Sequence, residues 1–232
     1  MPLTPVERPS PNHDARAEGP VDILVMHYTG MRTAEEALAR LCDPTAKVSA
    51  HYTVDRDGTV YAHVPEDRRA RHAGISYWAG VRDVNSRSIG IEIVNPGHEF
   101  GYVPFAEPQI DAVIALSRDI LSRHPITPWR VVGHSDVAPN RKQDPGELFP
   151  WARLAGADVG LWPAEIRNRT PVPLDEAAVV DSLGRYGYGV PPDVDWPLAD
   201  VIAAFQRHFR PSCINGISDA ECAQILHALL SA

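Results

Sequence analysis

Apolar positions change period several times along the chain, and each change marks an element. Val21-Asp22-Ile23-Leu24-Val25-Met26 is a nearly continuous apolar run of strand length. Such a run suits a strand covered on both faces. Thr33-Ala34-Glu35-Glu36 then forms a capping box, with Ala34, Ala37, Leu38 and Leu41 at helical spacing, so a helix is expected over 34–42. His51 to Val54 and Thr59 to Val64 read as two strands joined by Asp55-Arg56-Asp57-Gly58, where Asp-Gly signals a hairpin. The polar stretch 66–88, with Gly74, Trp78 and Gly80, predicts a long surface loop, a kind of segment that is often functional. Ser88-Ile89-Gly90-Ile91-Glu92-Ile93-Val94 alternates with period two. Its three isoleucines share one face, and Gly90, Glu92 and Val94 share the other. Ile110, Val113, Ile114 and Leu121 mark a helix across 107–123, and Arg130 to Gly133 is a short strand that delivers His134.

The flanking stretches read differently. Residues 1–20 hold five prolines and few large apolar residues, which predicts an irregular arm. Pro163, Pro171 and Pro173 mark a linker over 161–173. Beyond it the strand signals vanish. Val179, Val180 and Leu183 suggest one helix, and Leu198, Val201, Ile202 and Phe205 a second. The third opens on a Ser218–Glu221 capping box, with Cys222, Ile225, Leu226 and Leu229 behind it. The expected fold class is therefore α/β, a mixed central sheet flanked by helices over 21–160, followed by a small three-helix bundle over 174–232. These boundaries imply that the first region folds without the tail.

Composition narrows the class. The chain has 232 residues, and 22 basic against 30 acidic groups leave a net charge of −8. With no basic excess to meet a phosphate backbone, a nucleic-acid partner is not expected. No apolar run approaches the roughly 18 residues of a membrane span. The start lacks the basic patch and apolar stretch of a signal peptide, which favours a cytoplasmic location. Three scattered cysteines make no disulfide framework, and reduced thiols are expected.

Among ten histidines, two end strands: His27 and His134. Asp144 lies ten positions after His134 in Arg141-Lys142-Gln143-Asp144-Pro145-Gly146. Two imidazoles and a carboxylate would leave a fourth position open on a catalytic zinc. Spacing alone leaves open that the histidines merely cap strand ends through ordinary hydrogen bonds. Glu92 interrupts an apolar strand. On a central strand such a carboxylate is costly without a partner, and burial raises its pKa toward that of a useful base. On an edge strand it would simply face water. Lys142 is either a solvated surface lysine or a cation for a developing oxyanion.

Several segments together resemble one enzyme family. His27-Tyr28-Thr29-Gly30, Val48-Ser49-Ala50-His51-Tyr52 with Arg56-Asp57-Gly58, His72-Ala73-Gly74, Trp78-Ala79-Gly80, Asn85 with Ser88-Ile89-Gly90-Ile91-Glu92, Gly133-His134-Ser135-Asp136 and Arg141-Lys142-Gln143-Asp144-Pro145-Gly146 occur in order over about 20–155. This set is similar to the zinc-dependent N-acetylmuramoyl-L-alanine amidases of the amidase 2 type, whose fold is that of T7 lysozyme and the peptidoglycan recognition proteins. The resemblance implies one zinc per chain on His27, His134 and Asp144, Glu92 as the catalytic carboxylate and Lys142 as its cationic partner. Ala50 stands where one branch of the family has a catalytic tyrosine, and Asp144 where it has a cysteine ligand. Both match the branch that relies on a glutamate. The implied substrate is peptidoglycan or a muropeptide, cut between N-acetylmuramic acid (or its 1,6-anhydro form) and L-alanine in cell-wall recycling or turnover. Trp78 and Arg141 are substrate-contact candidates, an indole for a sugar or peptide face and a guanidinium for a carboxylate. In the tail, Gly187-Tyr188-Gly189-Val190 and Ala204-Phe205-Gln206-Arg207-His208-Phe209 resemble a three-helix peptidoglycan-binding module. Such a module would fit the periplasm, the alternative location. A recognition module that binds without cutting is the main rival reading, though no implied ligand is missing. A peptide-bond zinc hydrolase lacks its His-Glu-x-x-His helix here.

Overall fold

The computed structural model describes residues 4–163 and 175–231. Eight strands are present among them: β1 (Val6–Glu7), β2 (His13–Ala15), β3 (Ile23–Tyr28), β4 (Tyr52–Val54), β5 (Val60–Ala62), β6 (Arg68–Ala70), β7 (Ser88–Ile93) and β8 (Val131–Gly133). The helices of the first region are α1 (Ala34–Cys42), α2 (Val84–Arg87), α3 (Gly97–Phe100), α4 (Glu107–Arg123), α5 (His134–Val137) and α6 (Trp151–Ala155). The tail carries α7 (Glu176–Tyr186), α8 (Leu198–Phe209) and α9 (Ala220–Leu229). Six strands form one sheet in the order β1-β5-β4-β7-β3-β8, and β2 pairs with β6 apart from it. Strands β4, β7, β3 and β8 run parallel, while β5 is antiparallel to β4, so the sheet is mixed.

The sheet sorts its residues by parity. Leu24, Met26, Ile89, Ile91, Ile93 and Val131 face α4, whose Ile110, Val113, Leu116 and Ile120 meet them. The opposite face carries Ile23, Val25 and Val132, which pack with Trp78, Val84 and the tail residues Leu183, Tyr188, Val201 and Phe205. Both faces of β3 are therefore covered, as its unbroken apolar run requires. Helix α1 begins at the expected capping box: Thr33 Oγ1 accepts the Glu36 amide at 3.1 Å, and Glu36 reaches back to the Thr33 amide at 3.3 Å. The hairpin turn uses Gly58 at φ +89°, where a Cβ would also lie 2.9 Å from the Pro108 carbonyl oxygen.

The structure corrects four expectations. The N-terminal arm is not irregular, since β1 extends the sheet beside β5 and β2 pairs with β6. The loop over 66–88 contains β6 and α2. Helix α9 is capped by Asp219, whose Oδ1 accepts the Cys222 amide at 3.0 Å, and not by Ser218. The tail forms three helices, but they share a hydrophobic cluster with the sheet rather than standing apart. Of the linker expected over 161–173, residues 164–173 lie outside the described ones.

Candidate active site

Parallel strands gather their carboxyl-terminal ends at one edge of the sheet, where α/β proteins place their ligands. β3 ends by presenting His27, and β8 runs directly into α5, whose first residue is His134. Strand β7 lies between β4 and β3, so Glu92 is on a central strand, with His27 and Thr53 in register on either side. Asp144 arrives on the loop after α5, where its carbonyl accepts the Ser135 amide at 2.8 Å.

His27 Nδ1, His134 Nδ1 and Asp144 Oδ2 converge. The imidazole nitrogens lie 2.9 Å apart and stand 3.1 and 2.9 Å from the carboxylate oxygen. All three residues are buried. The far nitrogens settle the tautomers. His134 Nε2 donates to the Ala73 carbonyl at 3.2 Å. The Ser88 hydroxyl donates to the Val84 carbonyl at 2.6 Å and accepts from His72 Nε2 at 3.1 Å. His72 Nδ1 is then an acceptor, and it takes the Nε2–H of His27 at 2.9 Å. Both Nδ1 atoms are left as lone pairs aimed at a carboxylate oxygen. Three electron-pair donors this close repel one another unless a cation lies among them. Tetrahedral ligands at the zinc–nitrogen distance of about 2.0–2.1 Å stand roughly 3.3 Å apart, close to the spacing seen. The set fits a small divalent cation.

Electrostatics agree. Burial, then the neighbouring His134, hold the His27 imidazole down at about 4, which keeps it neutral as a ligand must be. Burial works against the Asp144 charge, but His134 and His27 outweigh it and hold the carboxyl below the usual range. Burial, then the Asp144 charge, push Glu92 well above its ordinary value, with Lys142 pulling weakly the other way. Glu92 Oε2 is shut off from solvent and has no hydrogen-bond partner among the described residues. Glu92, Lys142, His134 and Asp144 line one cleft of about 460 Å³, which also reaches Tyr28, Arg40, Ser49 and Arg71.

Two candidates fall outside this group. Trp78 is fully buried, edge-on to Tyr186 and Tyr188 at ring distances of 6.0 and 5.0 Å. An indole with no exposed face cannot cover a substrate, so Trp78 is a packing residue under the tail. Arg141 donates to the carbonyls of Ala73 and Ile75 and so braces the loop that receives His134 Nε2. It clamps its own chain, not a ligand carboxylate. The residues that sequence reasoning left without a role are His72 and Ser88, which orient His27. His72 stood within a quoted motif, but its partner comes from a strand 45 residues away.

Comparison with known proteins agrees with this geometry. The family model for N-acetylmuramoyl-L-alanine amidase, Amidase_2, matches residues 17–147. The N-acetylmuramoyl-L-alanine amidase AmiD of Escherichia coli is 42% identical over 231 residues, covering 90% of this chain and 82% of the relative. The 1,6-anhydro-N-acetylmuramyl-L-alanine amidase AmpD of Enterobacter cloacae is 35% identical over 164 residues, covering 63% of this chain and 86% of the relative. A solved structure of E. coli AmiD, in complex with the substrate anhydro-N-acetylmuramic acid-L-Ala-D-γ-Glu-L-Lys, superposes with a TM-score of 0.82 over 94% of this chain and 92% of that one. With the family model spanning five of the six strands of the main sheet and the residues that line the cleft, the chain belongs to the Amidase_2 family of N-acetylmuramoyl-L-alanine amidases.

Proposed function

We propose that the protein is a zinc amidohydrolase that cleaves the amide between the lactyl group of N-acetylmuramic acid, or its 1,6-anhydro form, and the L-alanine of muropeptides. The observation that carries this reading is the convergence of His27 Nδ1, His134 Nδ1 and Asp144 Oδ2 beside the unpartnered Glu92 carboxyl. Family membership and the substrate-bound AmiD relative support the choice of amide.

His27, His134 and Asp144 would hold the zinc. When bound, zinc supplies Lewis-acid polarisation of the scissile carbonyl and lowers the pKa of the attacking water. Glu92, made basic by burial, takes the proton of that water and returns it to the leaving amine. Lys142 faces the same cleft and offers positive charge to the developing oxyanion. The cleft wall around Arg40 gives the peptide portion a cation to meet, while Arg71 on the same wall is held by Asp14 at 2.8 and 2.9 Å.

Chelation should abolish release of L-alanyl peptide from an anhydro-muropeptide, and zinc should restore it, as read by mass spectrometry. His27→Ala, His134→Ala and Asp144→Ala should each lose the metal, because two ligands hold zinc poorly. Full activity in the chelated protein, or one tightly held zinc in all three variants, would remove the assignment.

A further inference from the structure

Asp136 lies two residues beyond His134 on α5 and is fully buried. Its Oδ2 accepts from the Gly133 amide at 2.7 Å, which caps the turn that begins at His134. The same oxygen accepts from His208 Nδ1 at 2.7 Å, and Oδ1 accepts the Tyr188 hydroxyl at 2.7 Å. Two of the three donors therefore come from the helical tail. Both are held rigidly. The His208 ring stacks on Trp151 of α6 at 3.8 Å and on Phe209 at 3.9 Å. Tyr188 is fully buried, edge-on to Trp78 and Phe205. The backbone is tied across the same joint, since the Ala79 amide donates to the Gly187 carbonyl at 2.8 Å.

A buried carboxylate keeps one orientation only while its donors are in place. If Tyr188 or His208 is removed, Asp136 rotates or draws in water, and the Gly133–Asp136 turn loses its cap. His134 is the first residue of that turn. We propose that the helical tail is a working part of the metal centre: Tyr188 and His208 are positioning residues that set the orientation of His134 through Asp136. This rests on the reading of His134 as a metal ligand, and it assigns the tail a role inside the catalytic region that wall binding does not require.

The test is zinc affinity, measured by chelator competition on the full chain, together with the urea midpoint of each variant. Tyr188→Phe removes one hydroxyl and His208→Leu one ring donor. Each should weaken zinc binding about 10- to 100-fold, the usual cost of losing a group that orients a ligand. His208→Asn keeps a donor near the Nδ1 position and should recover most of the loss. Leu226→Ala opens a cavity in the tail core without touching Asp136, so it should lower the urea midpoint and leave zinc affinity unchanged. The inference is overturned if Tyr188→Phe and His208→Leu bind zinc within twofold of the parent, or if Leu226→Ala weakens zinc as much as they do. Should His208→Leu fail to fold, Tyr188→Phe decides alone. His134→Ala in the same assay separates the two readings. If it keeps zinc, the ligand assignment fails; if it loses zinc while Tyr188→Phe does not, only the role of the tail fails.

Discussion

Glu92 sits between two strands whose residues flank it in register, His27 on β3 and Thr53 on β4. Glu92→Gln is nearly isosteric and leaves His27, His134 and Asp144 untouched, so zinc occupancy should match the parent. The proton acceptor is gone, and turnover should fall about 100- to 10,000-fold. Metal content and amide cleavage on one preparation test this, and cleavage near the parent level would place the base elsewhere. His72→Phe makes the complementary prediction. It removes the acceptor for His27 Nε2–H and frees the ring to present the wrong nitrogen, so zinc affinity should drop about 10- to 100-fold. An unchanged zinc constant would show that β3 alone orients His27. At this scale the placement of His27 and His134 at neighbouring strand ends was legible, because parallel strands finish at a common edge, whereas their grouping with the loop residue Asp144 came from the family resemblance and not from spacing. Trp78 and Arg141 were not, because the same side chains serve a cleft or a core, and only the fold decides which.

Elements with a full period were legible: the helix over 34–42 and that over 107–123 stand where the apolar spacing puts them. Strands β1 and β2, of two and three residues, are too short to show alternation, and they form only because β5 and β6 offer partners. Gly90 shows how an element serves the site. A Cβ there would lie 2.5 Å from the His72 ring, so β7 must give up a side chain to seat that histidine. The C-terminal end of α4 is tied to β4 through Glu66, which accepts from Tyr52 at 2.8 Å, Arg123 at 2.8 Å and His124 at 2.7 Å. Burial raises the Glu66 carboxyl, but these donors outweigh it and pull it down to about 2, against 4.5 unperturbed. A carboxyl depressed in the folded state stabilises above its unfolded pKa, and that contribution fades as pH falls through the folded one. Glu66→Gln should therefore cost stability at neutral pH, of order 1 kcal/mol after solvent screening of the arginine. The gap should close between pH 4.5 and about 2. Urea titrations of both proteins across that range test it, and a gap that stays constant would assign the effect to packing.

The whole molecule is organised around the face of the sheet that carries Ile23 and Val25 at one end and His27 at the other. The tail covers the apolar end, and the cleft occupies the polar end. Division by composition placed a boundary near 161–173 because strand signals stop and prolines accumulate there. Such signals report chain connectivity and say nothing of which faces later meet. A chain ending at residue 163 would lose the tail residues from the cluster that holds Val25, Trp78, Val84, Val132 and Val137, all nearly inaccessible in the full protein, and would uncover at least Trp78, which packs directly on Tyr186 and Tyr188. Burying one large apolar side chain is worth roughly 1.5–3 kcal/mol, and a domain has only about 5–15 kcal/mol in hand. Loss of the tail should then lower the thermal midpoint sharply, increase binding of an apolar dye and weaken zinc binding together. The full chain should melt in one cooperative transition, because its two parts cannot lose their common core separately. Calorimetry decides between this and independent folding: two transitions, with the amidase transition unmoved by truncation, would mean that the shared cluster contributes little and that the boundary in sequence is also one in stability.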